Sequence, residues 1–212
     1  MENSKRPKIS IAKIVQHAND IAVACRMFKP ELQDAGLQWY SVDKLVILSR
    51  ACSEADTYYQ LKKEDLQSAT KQHQGFVKEC RKLRGDLREN INRTFKKIRP
   101  GTIIPGLYKK MAYPEIAQDL LDLVNICSNN RKEFEMTNFN FSLVQKAAGF
   151  SRELFDANVD LELQRSSIKH EELATRDSLY YQLYKLIIEV CDFCRSVFKD
   201  DPGRRNIFRS IR

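Results

Sequence analysis

The stretch Lys8–Phe28, KISIAKIVQHANDIAVACRMF, returns in altered form as Lys110–Asn130, KMAYPEIAQDLLDLVNICSNN. The same shift runs without a gap from residues 8–67 onto 110–169. It gives about 12 identities in 60 positions, where composition alone gives about 4. Ile14/Ile116, Gln16/Gln118, Asp20/Asp122, Cys25/Cys127, Ser49/Ser151 and Leu61/Leu163 are among them. One added residue in the second half then keeps Lys82/Lys185, Leu83/Leu186, Phe95/Phe198 and Lys96/Lys199 in register. Removing it restores Pro100-Gly101 against Pro202-Gly203.

Apolar residues in both halves follow the three-and-four spacing of amphipathic helices. In the first half this predicts helices over about 9–28, 41–68 and 76–98, with Ser41 as N-cap of the second. The polar residues 69–75, with Gly75, read as a hairpin turn. The second half restates the pattern over about 114–127, 142–167 and 171–199, with Pro114 in a first turn. The fold expected is all-α: six long helices, an internal duplication of a three-helix unit, packed as an up-down helical bundle with pseudo-two-fold symmetry. Residues 1–105 form the first repeat with a basic N-terminal tail, and 106–212 the second with a basic C-terminal tail, in one compact domain. Tyr180, Tyr181 and Tyr184 widen the apolar surface of the last helix, favouring two hairpins joined as a central four-helix bundle over two tandem bundles.

Seven Gly and six Pro in 212 residues suit long helices rather than a turn-rich sheet protein. No stretch reaches the roughly 18 apolar residues of a membrane span, and Met1–Lys8 lacks the apolar run of a signal peptide. Six scattered Cys, four of them in apolar stripes, fit a reducing compartment, so the expected location is cytoplasmic. The formal charge of +8 is uneven: residues 1–105 hold 20 Lys/Arg against 12 Asp/Glu, and residues 106–212 hold 16 against 16.

No constellation points to catalysis. Cys191-Asp192-Phe193-Cys194 is a C-x-x-C motif late in a helix, away from the N-terminal dipole that activates a redox thiol. It also lacks a second ligand pair for zinc. His17, His73 and His170 fall in different elements. No catalytic residue, metal or cofactor is therefore assigned. Two polar sets stand out. Gln16, Asp20, Gln118 and Asp122 occur one turn apart in both halves, a hypothetical inter-repeat polar site whose plain alternative is a solvated face. Lys78, Arg81, Lys82, Arg88, Arg93, Lys96 and Arg99 lie opposite the apolar stripe of the third helix, and the tails add Lys5, Arg6, Lys8, Arg204, Arg205, Arg209 and Arg212. Pairing of these side chains with carboxylates of the second half would favour a basic first half that neutralises its own neighbour. The C-terminal run Ile207–Arg212 is read either as docked on the bundle or as a peptide offered to a partner.

The expected function is that of a non-enzymatic helical-bundle protein acting by macromolecular interaction. Another protein is the expected partner and no membrane is; homo-oligomerisation stays open. The alternative is sequence-nonspecific nucleic-acid binding through the basic face of the third helix.

Overall fold

The computed structural model describes residues 9–102, 104 and 112–209. The basic tails at Lys5, Arg6, Lys8 and Arg212, and the Pro105-Gly106 step, lie outside the described residues. Of the described residues 87% are helical and none is in a strand. The helices are α1 (Ile11–Met27), α2 (Lys29–Asp34), α3 (Trp39–Ile98), α4 (Tyr113–Asn129), α5 (Arg131–Glu135), α6 (Phe141–Ser167), α7 (Leu173–Val197) and α8 (Pro202–Ile207). A π-helical turn, Ile168–Glu172, joins α6 to α7.

Local chemistry explains most boundaries. The Ser10 hydroxyl accepts from the Lys13 N–H at the start of α1. Pro30 ends that helix by opening the next one: α1 stops at Met27 and α2 holds the proline in its first turn. Pro100-Gly101 stops α3, with Gly101 at φ 94°, a conformation that favours glycine. Ser41 is not a cap, because α3 already begins at Trp39.

The largest departure from the sequence reading is at residues 69–75. No hairpin forms there, and α3 is one helix of 60 residues. Likewise α6 and α7 follow one another through the π turn, so neither half contributes the hairpin that a central four-helix bundle needs. Ala, Lys and Gln in this stretch are good helix formers, and one glycine costs only about 1 kcal/mol. The loss of apolar periodicity reflects solvation: none of the residues 53–72 of α3 is buried. The π turn overlaps the start of the interval 170–184, within which the alignment of the halves needs its added residue, and an i→i+5 turn absorbs one such residue without ending the helix.

The chain divides into two compact units that do not follow its sequence halves. One comprises Met1–Lys63 with Ser166–Arg212, the other Glu64–Arg165. The expected division at 105/106 therefore does not coincide with the compact units. Each unit takes two long helices from one half of the sequence and the third from the other. In the first unit Ile14, Ile21, Cys25, Leu45, Cys52, Tyr180, Ile187 and Cys194 form the core, closed by Phe198 and Phe208. In the second, Cys80, Leu87, Ile91 and Phe95 of α3 pack with Leu120, Cys127, Phe134 and Leu154.

Candidate functional site

The expected basic face lies in the second unit and is only partly a face. Lys78, Arg81, Lys82, Arg93, Lys96 and Arg99 are exposed. Arg88 is not: its guanidinium donates to both oxygens of the Asp119 carboxylate, 3.2 and 3.3 Å away. Its place on the helical wheel, at the edge of the basic arc, puts it on the flank that α4 covers. Arg84 approaches the same carboxylate at 3.6 Å. Burial pushes the Asp119 carboxyl up, against the pull of Arg88 and Arg84. Arg93 pairs with Glu89 on its own helix, and Arg99 pairs with Glu133. Arg88 and Arg99 are thus neutralised by carboxylates of residues 106–212. Lys78, Lys82 and Lys96 make no ion pair with a described residue.

Gln16 and Asp20 belong to α1 in the first unit; Gln118 and Asp122 belong to α4 in the second. In each helix the Gln amide donates to its own Asp one turn on, at 2.8 Å in both cases. All four are exposed. Each pair is satisfied within its own helix.

Charge is also buried in the first unit, where sequence reasoning had no signal for it. Arg176 is 8% exposed. It lies over the Tyr59 ring, 4.2 Å from the centroid, with Asp56 at 3.7 Å and Asp177 at 3.0 Å. The Tyr180 hydroxyl donates to the Ile9 carbonyl at 3.2 Å. A charged side chain at a stripe position breaks the binary pattern, and two of its partners, Asp56 and Tyr59, come from a helix more than a hundred residues away.

All six Cys are buried, including Cys52 and Cys191, and none is in a disulfide with a described residue. Cys25 and Cys194 sulfurs lie 3.8 Å apart. Contact with Cys25 and burial hold the Cys194 thiol well above the ordinary value. Burial pushes Cys80 up to about 11, and Cys127 and Cys191 up to about 12. None of these four favours the thiolate that redox or metal chemistry uses. Among the described residues no group of three or more His, Cys, Asp or Glu is placed to hold a metal ion. No described helix is long and apolar enough to cross a membrane.

His73, expected in a surface turn, is instead buried in α3 with its ring against Tyr113, centroids 4.8 Å apart. Burial, then the charge of Arg165, lowers its pKa from 6.5. The imidazole is therefore neutral in the folded protein at pH 7. As the pH falls below 6.5, the unfolded chain takes up this proton before the folded one does, so folding loses stability. Each such proton contributes a slope of at most about 1.4 kcal/mol per pH unit. A His73→Phe variant should therefore lose less stability than the wild type between pH 7 and pH 5. Urea melts at the two pH values check this, and equal losses would show that His73 is not the group responsible.

In the first unit Tyr40, Ile47, Tyr58 and Leu61 of α3 are each at least half exposed. At about 100° per residue they fall within roughly 60° of one another on the helix. Lys44 lies over Tyr40 and Lys62 over Tyr58. In the second unit a groove of about 820 Å³ runs between α4 and α6, with Leu121 and Phe155 in its lining. No family model, curated protein or solved structure matches the chain.

Proposed function

We propose that this protein is a non-enzymatic helical bundle that works by binding another protein. The observation that carries the reading is the exposed apolar row on α3, Tyr40, Ile47, Tyr58 and Leu61. Single exposed apolar residues are common, but a row of four large ones on one helical face is typical of an interaction surface. Tyrosines beside lysines add rigid, amphipathic contact area of the kind that interfaces favour. The experiment is site-specific photo-crosslinking in the source cells, with the reactive group at position 47 or 58. One discrete crosslinked protein is expected from both positions and none from the exposed polar position 71. Crosslinks no stronger at 47 and 58 than at 71 would overturn the reading.

Nucleic-acid binding is the second reading, supported by exposed Lys78, Arg81, Lys82 and Lys96 on one side of α3. The internal pairing of Arg88 and Arg99 weakens it, because those charges are already neutralised. A mobility shift with mixed DNA and RNA at low salt tests it. Binding that falls steeply with salt and is lost in a Lys82→Glu, Arg93→Glu, Lys96→Glu variant would favour it over the first.

For the architecture we infer an internal duplication with pseudo-two-fold symmetry in which the two copies exchange their third helices. Three features support it. The π turn overlaps the interval 170–184 in which the added residue falls. The Gln–Asp pairs of α1 and α4 have the same geometry. Cys25 packs with Cys194 in one core, while their aligned counterparts Cys127 and Ile91 share the other.

A further inference from the structure

The groove of the second unit differs from its surroundings in two ways. It is open over apolar side chains: Phe155 is 61% and Leu121 41% exposed. It is also acidic in a chain whose net charge is +8. Helix α4 carries Glu115, Asp119 and Asp122 and no Lys or Arg. Asp119 is turned to Arg88, but Glu115 and Asp122 are exposed on one wall and Asp156 on the other. Arg152 is the one basic residue among the described residues of the lining.

The aligned place in the first half is built differently. The 102-residue shift puts Asn19 where Leu121 stands and Ser53 where Phe155 stands. In the first unit Ser49 donates to the Asn19 side chain at 2.9 Å, giving a polar contact between α1 and α3. In the second unit the aligned Ser151 donates to the Ala117 carbonyl at 2.8 Å instead, leaving Leu121 outside any such contact. Val159 and Leu163, both exposed, continue the apolar track along α6 at four-residue spacing, with Asp160 beside it. From Phe155 to Leu163 the track covers about 12 Å, a little over two helical turns.

We propose that this groove is the docking site for an amphipathic helix of a partner protein, with an apolar stripe flanked by Lys or Arg. The apolar lining takes the stripe, and Glu115, Asp122 and Asp156 face the flanking cations, which selects a basic helix over an acidic one. The proposal rests on the reading of the protein as a protein-binding bundle, but it uses a surface other than the Tyr40–Leu61 row.

The test uses the full chain and two labelled 18-residue helical peptides of one pattern, one of Leu and Lys, the other of Leu and Glu. Fluorescence anisotropy at low salt should show micromolar binding of the Leu/Lys peptide and none of the Leu/Glu peptide. Giving the groove the residues of the first half, Leu121→Asn with Phe155→Ser, should weaken binding at least tenfold with the helical circular dichroism unchanged. Asp122→Lys with Asp156→Lys should exchange the preference for the two peptides. No binding by the wild type, equal binding of both peptides, or binding that survives Leu121→Asn with Phe155→Ser would overturn the proposal. So would a dimer that this double variant converts to monomer, since the groove would then belong to a second copy. Failure here with crosslinking at 47 and 58 intact overturns the groove alone. Loss of crosslinking with peptide binding intact overturns the α3 row alone.

Discussion

Replacing Asp119 with alanine should destabilise the second unit by about 3–5 kcal/mol, the cost of removing one partner from a buried ion pair. The carboxylate is the shared partner of Arg84 and Arg88, whose side chains are only 16% and 14% exposed. Without it, two guanidinium groups stay close together in a site that water reaches poorly. The attraction itself is not the source of the effect, because much of it offsets the desolvation of the three charges. A triple variant, Asp119→Ala with Arg84→Leu and Arg88→Leu, should therefore recover most of the lost stability, since apolar replacement of a whole buried network is often neutral or favourable. Hydrogen exchange should locate the damage in α4, α6 and the second part of α3. An Asp119→Ala variant within about 1 kcal/mol of the wild type would mean that water solvates this cluster well.

How much of this was legible in the sequence depended on whether the signal was local. Helix positions followed from apolar periodicity, and α6, expected from about 142 to 167, is found at Phe141–Ser167. The end of α3 at Ile98 followed from Pro100-Gly101. Residues 69–75 misled because periodicity reports burial, not helicity. A helix that leaves one core and enters another loses its stripe while keeping its hydrogen bonds. The units were hidden for the same reason. Once α3 is continuous, its two ends serve different cores, and each core must recruit a third helix from the other half of the chain.

The candidate site shows the same limit. The wheel placed Lys78, Lys82 and Lys96 on an open face, and they are exposed. It could not show that Arg88 points along the flank toward α4, because Asp119 is 31 residues away in sequence. The Leu121 and Phe155 groove was written into the alignment as two apolar replacements of Asn19 and Ser53. Each alone is an ordinary surface residue. Only the packing of α4 beside α6 makes them one surface.

The C-terminal run is where the sequence left two readings, and a single variant decides between them. Phe208 is fully buried. Its ring stacks on Phe198, centroids 5.8 Å apart, and meets the edge of Phe28 at 6.3 Å. Arg204 covers both Phe28 and Phe198, and the Asp201 side chain caps α8 by accepting from the Arg204 N–H. The His17 ring bonds the Arg209 backbone. Phe208 is therefore part of the first core, with Ile207 and Arg209 exposed on either side of it, whereas Ser210–Arg212 lie outside the described residues. Helix α8 has six residues, too few to be stable alone, so its position depends on this anchor. A Phe208→Ala variant should lose about 3–5 kcal/mol, the range for truncating a buried phenylalanine. Hydrogen exchange should quicken in α1 and α7, and deleting the segment from Asp201 onward should cost about as much. Ile207→Ala, half-exposed beside it, should fall within about 0.5 kcal/mol of the wild type. If the run were a free peptide offered to a partner, Phe208→Ala would leave the melting temperature unchanged and weaken only that association.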